Sequence, residues 1–224
     1  MRRVLVFDVN ETLLDLSALD PLFERVFGDA RVRVEWFQTM LQSAFLLTIT
    51  GPYRKFGEHF RAALDLTAKR RGIEMRPADE EIILRSVREL PAHPDVPGAL
   101  ELLRAKGFRL AALTNSTVEV EAAQLAHAGL AEFFERKLSA DVFGRLKPAP
   151  EPYRAAAREL GVEVGQVRLV AAHAWDVQGA LRAGCGAAFV ARPGAMWNPL
   201  LERPDIMGND LAEVADRIVA ADLP

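Results

Sequence analysis

Four short segments of this chain carry the side chains that could do chemistry. The first is the loop Asp8-Val9-Asn10-Glu11-Thr12-Leu13, which begins where the apolar run Val4-Leu5-Val6-Phe7 ends. The second is Leu113-Thr114-Asn115-Ser116, and the third is Lys147-Pro148 with Tyr153 six residues after the lysine. The fourth is Ala171-Ala172-His173-Ala174-Trp175-Asp176. Together they offer a carboxylate nucleophile, hydroxyl and amide donors, an ammonium and a second carboxylate. Each also has a plainer reading. Thr114 and Asn115 are common helix caps, and Asp176 is a first-turn acid favoured by a helix dipole. Lys147 alone reads as a solvated loop lysine, His173 as a satisfied polar residue and Tyr153 as core. The order and spacing of all four segments are what give them meaning as a set.

The elements that must position them follow from periodicity. Apolar runs at 4–7, 108–113, 167–171 and 187–190 predict strands, and stretches of helical period at 96–106, 117–128, 149–160, 176–184 and 210–221 predict helices. Gly107, Gly129, Gly161 and Gly186 fall between a helical stretch and the next element, as helix stop signals do. Strands alternating with helices predict an α/β fold, a Rossmann-like doubly wound parallel sheet. Right-handed crossovers bring successive strand tips to one edge of such a sheet, where open parallel sheets bind their ligands. The four segments are therefore expected to converge.

Residues 15–91 break the alternation and read as consecutive helices at 18–27, 32–49, 53–72 and 78–90, with breaks near Gly28, Gly51-Pro52 and between Gly72 and Pro77. This block is expected to be a helical cap inserted into a core made of residues 1–14 and 92–224, with Pro91-Ala92-His93-Pro94 marking the return. A cap supplies walls that exclude water. Phe37, Phe45, Phe56 and Trp175 suggest an apolar pocket for a small substrate, although each also fits a core.

Composition narrows the function classes. The chain has 224 residues, 50% of them hydrophobic, with a net charge of −3, which is ordinary for a soluble globular protein. That charge gives no case for nucleic acid or an anionic membrane as partner. No apolar run approaches the ~20 residues that cross a bilayer. Met1-Arg2-Arg3 leads straight into the first strand, without a signal peptide, and the single Cys185 cannot form an internal disulfide. A cytoplasmic location is expected. Beside Gly184 and Gly186, Cys185 reads as a small packed residue, and no Cys/His cluster has metal-ligand spacing.

The order of the four segments resembles the haloacid dehalogenase-like hydrolase superfamily over nearly the whole chain, and within it most closely the type II (L-2-haloacid) dehalogenases. The resemblance implies Asp8 as nucleophile in Phe7-Asp8-Val9-Asn10-Glu11-Thr12-Leu13, with Thr12 supporting it. Thr114 and Asn115 match the pair that binds the substrate carboxylate, Lys147 and Tyr153 the basic and phenolic pair, and Ala174-Trp175-Asp176 with Gly179-Ala180 the fourth motif. Trp36, Gln38, Leu41 and Phe56 match the family's cap spacing, and several such positions line its halide pocket. The implied reaction is displacement of halide from a small 2-haloacid by Asp8. Lys147 keeps Asp8 ionised, and a water activated near Asp176 then hydrolyses the ester. The substrate brings one carboxylate rather than a phosphate needing neutralisation, so neither metal nor cofactor is expected. A homodimer is expected, for which the stretch Ala44-Phe45-Leu46-Leu47 is a candidate face, although it fits the core equally well.

Three other readings stay open, one of them an enzyme that hydrolyses some other small acid through the same ester. A Mg²⁺-dependent phosphatase of the superfamily would carry a general acid two residues after the nucleophile, where this chain has Asn10, and paired acids in the fourth motif, where Ala171 and Ala172 leave Asp176 alone. A non-catalytic binding protein on the same fold is the third. Three departures from the dehalogenase pattern bear on the choice. Phe37 stands where the family has an Arg that contacts halide and substrate carboxylate, a change costing roughly 1.5–3 kcal/mol for a lost charge-assisted bond. Asn10 stands where an aromatic is frequent, and Ala171-Ala172-His173 replaces Ser-Ser-Asn. An imidazolium at His173, in the halide-pocket position, would replace part of the missing Arg; activity is then expected to fall as His173 deprotonates, about pH 6.5 unless its site shifts it.

Overall fold

The computed structural model describes residues 3–223; Met1 and Arg2, on which the expected leaderless start rests, lie outside the described residues, as does Pro224. Among the described residues six strands, β1 (Val4–Phe7), β2 (Leu110–Thr114), β3 (Arg136–Ser139), β4 (Val167–Ala171), β5 (Gly186–Val190) and β6 (Ile206–Gly208), form one sheet in the order β3-β2-β1-β4-β5-β6. Every pairing is parallel. Strands of such a sheet are covered on both faces and read as unbroken apolar runs, which is why β1, β2 and β4 are buried from end to end. The register sets Phe7, the last residue of β1, beside Ala112 and Val170, so β2 and β4 run slightly past the tip of β1. The strand order reverses between β1 and β4, the place where doubly wound sheets open a crevice.

Alternate residues face opposite layers. Leu5, Phe7, Ala112 and Val170 join the core that contains Leu100 and Leu103 of α5 (Val96–Ala105) and Val214 and Ile218 of α9 (Leu211–Asp222). Val4, Val6, Ala111 and Leu169 join a second core with Ala156 of α7 (Pro150–Glu159) and Val177 and Ala180 of α8 (Ala174–Ala183). Helix α6 (Val118–His127) lies between β2 and β3 in the chain. Two strands were absent from the sequence reading. β3 is half exposed and begins Arg136-Lys137, and β6 has three residues; edge strands this short or polar leave little apolar period to read.

Between β1 and α5 the chain is helical: α1 (Asp20–Phe27), α2 (Val32–Thr50), α3 (Phe56–Arg70) and α4 (Pro77–Ser86), with short 3₁₀ turns at Leu16–Leu19 and Val87–Glu89. Their shared interior is aromatic. Trp36 lies 5.1 Å, centroid to centroid, from both Phe23 and Phe60, and its indole N–H donates to the Phe60 carbonyl at 3.0 Å. The chain enters and leaves this segment at one neck: Asp15 N donates to Pro91 O at 2.8 Å, His93 N donates to Leu13 O at 2.9 Å, and Leu14 bridges Ala92 antiparallel. Among the described residues no helix is long and apolar enough to cross a membrane.

Candidate active site

The loop after β1 is built to hold Asp8 at the sheet edge. Asp8 N continues the β pairing by donating to Val170 O at 3.0 Å, and the chain then folds back so that Leu13 N and Leu14 N both donate to Val9 O. The turn needs a left-handed residue, and Glu11 supplies it at φ 60°, the one non-glycine with positive φ among the described residues. Arg192 fastens the far end, donating to Thr12 O at 2.9 Å while pairing with Asp95 at 2.7 Å. Thr12 then links two strand tips: its hydroxyl donates to Asp8 Oδ2 at 2.7 Å and accepts from Ala172 N at 2.9 Å.

Lys147 is fully buried and spends its three protons on Asp8 Oδ1 (2.8 Å), Leu113 O (2.8 Å) and Asp176 Oδ2 (2.6 Å). Its plainer reading as a solvated loop lysine does not hold. Burial would raise the Asp8 pKa, but the Lys147 charge and the His173 contact outweigh it and hold the carboxyl well below the usual range. Burial opposes the Lys147 charge, yet Asp176 and Asp8 together raise its pKa. Asp176 is pushed up by burial and by the Asp8 charge, with Lys147 opposing. The Tyr153 hydroxyl donates to Asp176 Oδ1 at 2.5 Å, and burial followed by the Asp176 charge raises its own pKa. This approach requires Gly179, where a Cβ would sit 2.6 Å from the Tyr153 hydroxyl and 2.7 Å from Pro148.

His173 faces Asp8 from the tip of β4. Its Nδ1 is 3.3 Å from Asp8 Oδ2 and its Nε2 is 2.8 Å from Glu11 Oε2. Burial disfavours the imidazolium, but the bonds to Asp8 and Glu11 outweigh that and push its pKa up to about 10. The expected loss of its proton about pH 6.5 is thereby moved well to the alkaline side. Phe37 stacks on this ring at 5.9 Å and 27°, and Trp175 at 5.1 Å and 26°. Phe45 meets Trp175 edge-on at 5.1 Å.

Other residues singled out in the sequence fall nearby with different contacts. Asn10 is buried, its amide accepting from Gln124 Nε2 at 2.9 Å and donating to Ser116 Oγ at 3.4 Å. Thr114 accepts from Ser116 N at 3.1 Å. Asn115 clasps the backbone of Lys147, accepting from its N–H at 2.8 Å and donating to its carbonyl at 3.2 Å, so its amide positions the lysine. Phe56 is one ring removed from the cluster: it packs on Phe60, which packs on Phe37. Leu41 is partly buried against the same core. Gln38 is exposed, and the structure does not bring it to the cluster. A helix turns about 100° per residue, so Phe37 and Leu41 share a face that position 38 leaves. Glu11 and Gln124 were passed over in the sequence. Only the positive φ of Glu11 marks it, and a sequence does not display φ. Cys185 is buried, its thiol pushed up to about 12 by burial.

A cleft of about 670 Å³ lies between α3, α4 and the start of α6, with Lys55, Phe60, Arg61, Arg88 and Ser116 among its lining residues. It meets the cluster at Ser116, the partner of Asn10.

An open parallel sheet, a helical segment after β1 and a buried carboxylate–ammonium pair at the switch point define a hydrolase class, and comparison with known proteins agrees. Residues 2–184 match the family model of haloacid dehalogenase-like hydrolases, and the chain belongs to that family. It is 31% identical to haloacetate dehalogenase H-2 of Moraxella sp. (strain B) over 206 residues, 90% of this chain and 91% of that protein. It is 28% identical to (S)-2-haloacid dehalogenase 2 of Pseudomonas sp. (strain CBS-3) over 214 residues, 95% and 93% of the two. The L-2-haloacid dehalogenase of Xanthobacter autotrophicus, solved with chloropropionic acid covalently bound, shares the fold at a TM-score of 0.91 over 100% of both chains, with 24% identity.

Proposed function

We propose that this protein is a hydrolytic dehalogenase of small 2-haloacids that works through an ester on Asp8 and yields a 2-hydroxy acid and halide. The observation that carries this reading is the buried Asp8–Lys147 pair at 2.8 Å beside an Asn10 whose amide is already engaged by Gln124 and Ser116. Asp8 is ionised and desolvated, which suits attack on carbon. Asn10 has no acidic proton to give a leaving alkoxide, which disfavours phosphate-ester chemistry. Asp8 attacks the carbon bearing the halogen and inverts its configuration; water then opens the ester at the Asp8 carbonyl. His173, held as a cation by Asp8 and Glu11, supplies positive charge for the anionic substrate where Phe37 supplies none.

Residues 15–91 act as a cap over a core of residues 1–14 and 92–224. The neck at Leu14 and Ala92 and the Phe37–His173 contact across the two parts support this. The protein pairs as a homodimer through the outer side of α2, where Leu46 and Ile49 are 58% and 81% exposed; sedimentation of Leu46→Glu and Ile49→Glu variants tests it. The lone buried Cys185 suits a reducing cytoplasm.

The functional test is halide release from L-2-chloropropionate, chloroacetate and fluoroacetate in EDTA, with an Asp8→Ala control. Metal-independent release that vanishes in the control is expected. Silence on all three, with Mg²⁺-dependent turnover of a phosphate ester, would replace this reading with a phosphatase.

A further inference from the structure

We propose that His173 is the base that drives hydrolysis of the Asp8 ester and that Glu11 is the residue that positions it, so that Asp8, His173 and Glu11 act as a nucleophile–base–acid relay. This inference rests on the dehalogenase reading above and deepens it. Among the described residues, three side chains hydrogen-bond to the Asp8 carboxylate: the Thr12 hydroxyl, the Lys147 ammonium and the His173 imidazole. A hydroxyl donating to Asp8 and an ammonium with all three protons engaged cannot take a proton from water. Asp176, the other acid, is 0% exposed, with one oxygen on Lys147 and the other on Tyr153. The His173 side chain is 13% exposed, with Nδ1 on Asp8 and Nε2 on Glu11. That is the arrangement in which one ring nitrogen works and the other is held by a carboxylate.

Glu11 carries an independent sign. It occupies a left-handed backbone position that glycine fills without strain, and glycine could not reach His173. Its other oxygen lies 3.6 Å from Arg33 of α2, and its carbonyl faces His93 Nε2 at 3.2 Å. Arg33 and His93 thus bear on the relay through Glu11, while Lys147 and Asp176 bear on it through Asp8.

The charge changes along the reaction are consistent with the assignment. In the resting site two anions, Asp8 and Glu11, hold the proton on His173. When an Asp8 oxygen bonds to the substrate carbon, the carbon–halogen bond breaks and its electron pair leaves with the halide. Asp8 becomes a neutral ester, one of the two anions is gone, and the imidazolium releases its proton to solvent with the halide. Water then adds to Asp8 Cγ as Nδ1 takes one of its protons. The Cγ–ester oxygen bond breaks, the 2-hydroxy acid departs with the second proton, and the Asp8 carboxylate and the imidazolium are restored.

The test is pre-steady-state halide release from chloroacetate with intact-protein mass, on wild type, His173→Gln, Glu11→Gln and His173→Ala. At saturating chloroacetate His173→Gln is expected to release one halide per active site, more slowly than wild type because the cation that faces the substrate is gone, and then to stop with its mass raised by the ester, its kcat at least about 100-fold below wild type. Glu11→Gln should accumulate the same ester more weakly and shift the acid limb of the kcat–pH profile. Imidazole should restart turnover in His173→Ala. Multiple turnovers at the wild-type rate in His173→Gln would overturn the proposal. So would a folded His173→Gln with neither halide nor ester, which would place His173 before the ester. Wild type releasing no halide from any haloacid is a separate outcome, which sinks the dehalogenase reading and this proposal with it.

Discussion

The Phe37 ring of α2 lies on the imidazole of His173, with centroids 5.9 Å apart and planes 27° from parallel. In the dehalogenase pattern this chain resembles, an arginine stands at the position of Phe37. The structure instead places the cation on the loop after β4 and turns the helical segment's contribution into an aromatic face that receives it. A second cation at 37 would be repelled by the one already there. Replacing Phe37 by Leu keeps most of the packing and removes the ring, which removes about 0.5–1 kcal/mol of cation–π attraction. The His173 titration midpoint, followed by NMR of the ring protons, is expected to fall by less than about one pH unit. An unchanged midpoint would show that Phe37 only fills space.

Stability should depend on pH through the same ring. The folded pKa of His173, about 10, lies above its unfolded value of 6.5, so its contribution is fully present below pH 6.5 and is lost as pH rises through about 10. Wild type is therefore expected to lose more Tm between pH 7 and pH 10 than His173→Gln does. Parallel Tm curves for the two proteins over that range would contradict the ionised state assigned to the resting imidazole.

Lys147→Met leaves Asp8 and Asp176 buried together without their cation. Removing one partner of a buried pair costs about 3–5 kcal/mol, or roughly 6–20 °C in Tm for a chain of this size. The sign with pH follows from Asp8, whose folded pKa is depressed: its stabilisation is present above pH 3.8 and lost as pH falls through the folded value. The deficit of Lys147→Met should thus shrink on acidification. A deficit that is flat with pH would mean that lost packing, rather than charge, is what the variant reports.

Asn115 separates two assignments. Its resemblance role is to bind the substrate carboxylate, whereas here its amide holds both backbone polar groups of Lys147. Asn115→Ala is expected to lower kcat about tenfold with little change in KM, and to cost about 1–3 kcal/mol for the groups left unpaired. A raised KM with kcat intact would return the residue to the substrate.

Much of this fold was legible because its core strands are mostly apolar, with Arg168 of β4 the buried charged exception, paired with Asp205 and Asp222. β1 and β4 fall where their runs predict, and α2 matches its periodic stretch to within a residue. β3 and β6 were not legible, since Arg136-Lys137 and a three-residue strand carry no pattern of their own. In the site, Asp8, Lys147, Tyr153 and Asp176 were legible through the order and spacing of their segments, since Lys147 alone reads as a solvated lysine and Tyr153 as core. The clasp of Asn115 on Lys147 did not, because the same amide suits a substrate or a backbone. Glu11 was hidden for a different reason: its significance lies in a backbone angle and a partner 162 positions away. Gln38 shows the converse error, a position matched by spacing whose direction is set by the turn of the helix.

The neck at Leu14 and Ala92 bears on what a substitution can change. The chain enters and leaves the helical segment at neighbouring points, Leu14 and Ala92, so the segment spans between two residues that already touch. Asp8, Lys147 and Asp176 all stand outside the segment, while Phe37 stands inside it. A substitution inside the segment, as at Phe37, can therefore alter what faces His173 without changing the connectivity that holds Asp8, Lys147 and Asp176 together.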